Sequence, residues 1–282
     1  MMVETWMERI ANLSLPTVVL ALGGLTVVRL ILRALRRGFF LFLSELTESA
    51  MLALALVFLL VRPFVLQTYH IPSPSMHPTL MEGDHLIVNK LLYRLRGPRR
   101  GEIVVFRAPH DADSNEPEYI KRLVGLPGDT IEVQAGFVTV GGSRYYHTEI
   151  RGILGIADSD DPATPGSAPI PTLRLTRQGI QVGSKTISPA EFAVRSGHRD
   201  EPVEIQPGKV LRNGQALLED YVAEDPEYHL DPYTVPAGSY FVLGDNRNQS
   251  HDSHEWGELS VNRLIGRAEA IFWPLPRVRR TR

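Results

Sequence analysis

Cysteine is absent from the 282 residues, which excludes disulfides, thiolate metal sites and a cysteine nucleophile. Net charge is almost absent too. Thirty lysines and arginines face 32 aspartates and glutamates, a formal −2, and no basic excess marks a nucleic-acid binder. No clear internal repeat is present, and no helix-period segment of convincing length follows residue 68. What the chain does have is an uneven spread of apolar residues, which crowd into the first 66 positions. Its length suits one large domain or two ordinary ones.

Ile10 to Val28 holds no charged residue, and as a helix it rises about 28 Å, close to the roughly 30 Å hydrocarbon thickness of a bilayer. Arg29, Arg33, Arg36 and Arg37 follow. Ser49 to Leu66 is a second apolar run, broken only by Arg62, which can snorkel from near its far end. The basic cluster comes after the first run, so a retained anchor is expected and not a cleaved leader. The pattern predicts a membrane anchor over residues 1–67, with spans over about 10–32 and 49–67. Its arginine linker lies in the cytoplasm and everything after residue 67 lies outside. The alternative is a single true span, the second, with the first run lying at the interface. Phe39 to Leu43 would then sit among the headgroups.

Residues 68–282 read as an exported, all-β domain, coiled or barrel-like. Leu86–Val88, Ile103–Phe106 and Tyr119–Gly125 are strand-like, and Leu126-Pro-Gly-Asp129 is a turn. Arg107 to Pro117 reads as an exposed loop, and Ile131 to Val140 as a hairpin. An insertion of different texture covers about 144–208. Ala157 to Pro171 within it, with four prolines and three aspartates, is unsuited to a packed core. Strands resume at Val210, with Asn213-Gly214 as a hairpin turn, and continue through Ser239–Leu243 and Leu264–Trp273.

The chemistry gathers in three places. Ile71 to Leu80 reads Ile-Pro-Ser-Pro-Ser-Met-His-Pro-Thr-Leu. Its prolines exclude a helix and favour an extended, rigid segment that fixes the hydroxyls of Ser73 and Ser75. The bland reading is a surface turn. Lys121 lies in an apolar strand pattern, where a lysine is either an outward, solvated residue or a buried one kept neutral. A neutral amine is a competent general base, and serine is a poor nucleophile without one. The third place is Gly244 to Gly257, reading Gly-Asp-Asn-Arg-Asn-Gln-Ser-His-Asp-Ser-His-Glu-Trp-Gly.

Four blocks in this order resemble the type I signal peptidases, membrane-anchored serine proteases with a Ser-Lys dyad. They are residues 73–80, then Gly83-Asp84 through Val88 with Lys90 and Tyr93, then 119–129, then Gly244–Gly257. The resemblance implies Ser75 as nucleophile and Lys121 as general base. It implies Ser73 as an oxyanion donor, Ser250 as the residue that orients the lysine, and Asp252 and Arg122 in support. Ile71, Met76, Tyr119 and Ile120 are implied to line a pocket for small side chains. It also implies preproteins bearing signal peptides as substrates, and the lipid bilayer and the export machinery as partners. The implied location is a bacterial cytoplasmic membrane with the catalytic domain on the outer face. No cofactor, metal or nucleic acid is implied.

The chain departs from the family pattern twice. His254 stands where an arginine usually pairs with the aspartate matching Asp252, and Asn248 stands where an aspartate is common. Three rival readings remain. One is a Ser-His-Asp hydrolase using His77, His251 or His254. Another is an inactive tethered β-module that binds partners. The last is a metal site at His251, Asp252 and His254, which has too few ligands for a structural centre.

Overall fold

The computed structural model describes residues 14–35, 38–61, 64–109, 118–156 and 171–281. Ser14 opens the first helix, α1 (Leu15–Ala34), its hydroxyl accepting the Thr17 N–H, with a proline in the first turn where no donor is missed. The second helix, α2 (Gly38–Ala55), runs on as a π-helical turn over Leu56–Val61. Pro16–Ala34 and Gly38–Leu59 are both long and apolar enough to cross a membrane. Many of their large side chains point outward, with Leu20 75% and Phe39 70% exposed. A water-facing helix pair does not normally show such a surface.

The second helix begins at Gly38, well before the span expected from about residue 49. Phe39 to Leu43 is part of it because the polar residues that follow are satisfied within the pair. Glu48 pairs with Arg29 of α1, Thr47 and Ser49 donate back to the carbonyls of Leu43 and Glu45, and Ser44 is buried. Residues 10–13, Arg36, Arg37 and Arg62 lie outside the described residues, as do most of the 107–117 loop and positions 157–170.

The strands follow as β1 (Leu66–His70), β2 (His85–Asn89), β3 (Ile103–Arg107), β4 (Glu118–Gly125), β5 (Thr130–Gln134), β6 (Phe137–Val140) and β7 (Ser143–Tyr145). Next are β8 (Leu173–Thr176), β9 (Gly179–Val182), β10 (Lys185–Ile187), β11 (Val203–Gln206), β12 (Lys209–Arg212), β13 (Gln215–Ala216) and β14 (Leu230–Thr234). The last are β15 (Ser239–Leu243), β16 (Leu259–Ser260), β17 (Leu264–Trp273) and β18 (Arg279–Arg280). The part beyond the two helices is mainly β. Its largest sheet is an open antiparallel one in the order β1-β2-β17-β3-β4-β15-β16, with β18 added to β17. A four-stranded sheet, β13-β12-β5-β14, continues from it through the Leu126–Asp129 turn.

Strand positions agree with the alternating pattern because one face is buried. Leu86 and Val88 of β2 and Ile103 and Val105 of β3 close on Ile71, Met76 and Leu80. Asn213 and Gly214 have φ of 54° and 76°, both positive as a two-residue hairpin turn requires, and they join β12 to β13.

Two expectations are corrected. Ile131 to Val140 is not a hairpin, because β5 pairs with β12 and β14 while β6 pairs with β11 and β7. The chain changes sheets at Gly136, where a Cβ would lie 2.7 Å from the Gly208 amide and 2.3 Å from an Asp225 carboxylate oxygen. The stretch over 144–208 is also more regular than its composition suggests. Around its undescribed portion it forms β7 to β11 and two short helices, His147–Leu154 and Pro189–Arg195. Together with β6 these build a separate core of Val138, Val140, Ile150, Leu173, Leu175, Ile180, Ile187 and Phe192. The proline-rich residues mislead because they interrupt a module that is folded on either side of them.

Candidate active site

The Ile71–Leu80 segment is pinned at its apolar residues. Ile71, Met76 and Leu80 are buried, and the Leu80 N–H donates to the Met76 carbonyl at 2.9 Å. The prolines do not make the whole segment extended. Ser73 is extended, but Pro74–Met76 forms one 3-10 turn, with Pro74 at its start where its missing N–H costs nothing. That turn lifts Ser75 toward β4. Lys121 in the middle of β4, opposite Val104 of β3, is 5% exposed, and its Nζ lies 2.7 Å from Ser75 Oγ. Ser73 Oγ is 3.3 Å from Ser75 Oγ, and the Tyr119 ring centre is 5.3 Å from the lysine Nζ. Of the two readings of Lys121, the structure shows the buried one.

The Gly244–Gly257 segment leaves β15 and closes over the serine turn. Asn246 donates its N–H to the Ser75 carbonyl and its Nδ2 to the Pro74 carbonyl, both at 3.2 Å. Gly244 allows this approach, since a Cβ there would sit 2.4 Å from the Ser75 carbonyl oxygen and 2.1 Å from Ser250 Oγ. Ser250 Oγ is buried beside Gly244, and its hydroxyl is among the groups that hold the Asp252 carboxyl low. Asp245 is fully buried and takes a bidentate pair from Arg122 at 2.7 and 2.6 Å, while the Thr79 hydroxyl donates to it at 2.5 Å. Arg122 follows Lys121 on the strand, so its side chain leaves by the opposite face. It also donates to the Gly101 carbonyl and stacks on Tyr221 at 3.8 Å. Its carboxylate partner is therefore Asp245, a residue that sequence reasoning passed over although it lies in the quoted motif.

Asp252 caps the short helix Ser253–Trp256. It accepts the Gly244 N–H at 2.8 Å and the His254 N–H at 3.1 Å, and it meets His254 Nδ1 at 2.7 Å. Burial pushes its carboxyl up, but the His254 hydrogen bond and charge and the Gly244 N–H outweigh burial and hold it below the usual range. The His254 ring stacks on Tyr228 at 3.9 Å.

Asn248 faces away from the dyad, toward the second module. Its Nδ2 donates to the Asp225 carbonyl at 3.2 Å and to Glu224 at 3.3 Å, and its Oδ1 accepts the Glu227 N–H. Glu224 in turn holds Arg151 and the Leu173 N–H, and Asp225 holds the N–H groups of Leu175 and Gly208. An aspartate at 248 would point a carboxylate at two acceptors, so the amide is what these neighbours require. The sequence signal for this joint was the adjacent acidic pair Glu224-Asp225.

A cleft of about 410 Å³ runs along the dyad. All four pocket residues named from the sequence line it, as do Ser73, Ser75 and Lys121. Tyr69, His70, Glu118, Gln249 and His251 line it as well and were not anticipated. The three histidines considered as alternative bases face carboxylates instead: His77 meets Glu82, His251 meets Glu255 and His254 meets Asp252.

The sequence model of a family described as "Signal peptidase, peptidase S26" matches residues 43–161 and 197–273. The chain belongs to this signal peptidase family. A "Probable signal peptidase I-2" of Synechocystis is 35% identical over 77% of this chain and 68% of that protein. A "Signal peptidase I" of Leptolyngbya laminosa is 32% identical over 77% of this chain and 74% of its own length. One of Aquifex aeolicus is 30% identical over 82% and 84%. As an S26 peptidase the chain is a serine hydrolase. The family match skips residues 162–196, which include β8, β9, β10 and the Pro189–Arg195 helix. The segment outside the family match is thus narrower than the 144–208 stretch its composition marks.

Proposed function

We propose that this peptidase removes N-terminal signal peptides from exported preproteins through Ser75 and Lys121. On this reading α1 and α2 anchor it in a bacterial cytoplasmic membrane, with the sheet on the outer face. The observation that carries the proposal is the 2.7 Å contact between two buried groups, Lys121 Nζ and Ser75 Oγ.

As a neutral amine Lys121 takes the Ser75 proton while Oγ attacks the scissile carbonyl carbon. The carbonyl oxygen becomes an oxyanion, received by the Ser75 N–H and the Ser73 hydroxyl. When the C–N bond breaks, the lysine ammonium returns its proton to the leaving amine, and an acyl ester remains on Ser75. The lysine then takes a proton from water, which attacks the ester, and the serine regains its hydrogen. Ser250 orients Lys121, Asp252 keeps the Gly244 turn against Ser75, and Arg122 fixes Asp245 beneath it. The apolar lining at Ile71, Met76 and Ile120 suits the small side chains that precede a signal-peptide cleavage site.

The test is cleavage of a preprotein by the purified full chain. Ser75→Ala and Lys121→Ala each lower kcat by about 10²–10⁴-fold or more with an unchanged circular dichroism spectrum. Near-normal turnover by Lys121→Ala would remove the dyad.

A further inference from the structure

One end of the large sheet carries cations that the chemistry above does not use. A groove of about 370 Å³ is bordered there by Lys90 after β2, Arg94, Arg107 at the end of β3 and Arg263 just before β17. Glu118, at the start of β4, is the one carboxylate on its wall. Elsewhere in the β part, buried and half-buried arginines meet carboxylates: Arg96 and Arg267 meet Glu102, Arg122 meets Asp245, Arg151 meets Glu224, Arg247 meets Glu219 and Arg277 meets Asp84. In the groove, no cation forms an ion pair among the described residues. Lys90 donates to the Gln67 side chain, Arg263 donates to the Ala108 carbonyl, and Arg94 lies 5.5 Å from the Phe64 ring centre.

The position of the groove says what would fill it. This is the sheet end at which the chain arrives from α2, because β1 starts at Leu66 opposite Asn89 and the Lys90 N–H donates to the Val65 carbonyl at 2.8 Å. Exposed apolar side chains stand around it, with Leu95 75%, Phe64 46% and Leu66 38% exposed. Cations that make no ion pair among the described residues, above an apolar collar and a few residues from an apolar helix, match the boundary between acyl chains and phosphates.

We infer that this groove is a binding site for the phosphate headgroup of an anionic phospholipid, an inference that rests on the membrane-anchored reading above. Glu118 and β1 side chains line both this groove and the catalytic cleft. A headgroup held here fixes the height and tilt of the sheet beside the place where a membrane-borne peptide must enter.

The experiment uses the full chain in bilayer nanodiscs of phosphatidylcholine, with or without phosphatidylglycerol, and counts retained lipids by native mass spectrometry. Phosphatidylglycerol is retained preferentially. The preference falls about fivefold for each cation removed in Arg94→Gln and in Arg94→Gln/Arg107→Gln, whereas Arg280→Gln, away from the groove, changes nothing. Raising salt to about 1 M, where screening acts over roughly 3 Å, weakens it in the same way. Equal retention of both lipids, or an unaltered preference in the double variant, overturns the inference. So does full competition by equimolar inorganic phosphate, which would mark a simple anion site. Failure of the membrane reading looks different, because the chain would then be washed from native membranes by alkaline carbonate.

Discussion

His254 Nδ1 lies 2.7 Å from Asp252 Oδ1 while its ring stacks on Tyr228, so a histidine supplies the partner that the family resemblance leads one to expect from an arginine. The contact helps hold the Asp252 carboxyl below its usual range, and a carboxyl depressed by folding contributes stability that is lost as pH falls through its folded value. His254→Ala therefore moves the acid limb of the pH–rate profile to higher pH. His254→Arg places a permanent cation beside Asp252 and moves the acid limb to lower pH. Profiles for both variants that superimpose on the parent would rule this out.

Gly244→Ala tests how closely the last motif must approach the serine turn. Its Cβ would meet the Ser75 carbonyl, which is backbone and cannot swing aside. We expect kcat to fall by about 10²-fold from displacement of Ser75, with the fold intact by circular dichroism. Activity within twofold of the parent would mean that the turn has slack.

Asn248→Asp replaces a donor by an acceptor opposite Glu224 and the Asp225 carbonyl. The expected loss is about 1–3 kcal/mol, read as a lower urea midpoint. Adding Glu224→Gln restores part of it if the two side chains interact directly, and a strictly additive double variant would deny that.

Asp129 lies in the Leu126–Asp129 turn. Burial raises its carboxyl, but the Arg100 fork, the Leu126 N–H and Asn213 together bring it down to about 2. Its contribution is complete above the ordinary carboxylate range near 4 and disappears as pH falls through about 2. Because Arg100 is part-exposed and screened, we expect about 1–2 kcal/mol. Asp129→Asn should remove that much of the stability difference between pH 7 and pH 2, measured by urea unfolding.

Much of the site was legible because it is written in short contiguous motifs. Ser73, Ser75 and Lys121 sit in segments whose prolines and apolar neighbours announce a constrained backbone, and the structure brings the three together. The Arg122–Asp245 pair was missed because its partners are far apart in sequence and each looks ordinary alone. The β5–β6 misreading has a similar origin: alternation marks strands but does not say with whom they pair. The length of α2 was underestimated because Glu48 and Thr47 look like interruptions until α1 is alongside to receive them. The second module was hidden by its own prolines, since a core assembled from strands on both sides of such a stretch leaves no local pattern.

Among the described residues, that module shares no core residue with the sheets that carry the dyad. It meets the last motif chiefly through Asn248, Glu224 and Asp225. Separate cores joined by a few polar contacts form separate cooperative units. Warming can therefore open the module while the catalytic turn stays closed. Hydrogen exchange at Phe192 and at Lys121 should then report two different free energies from one chain.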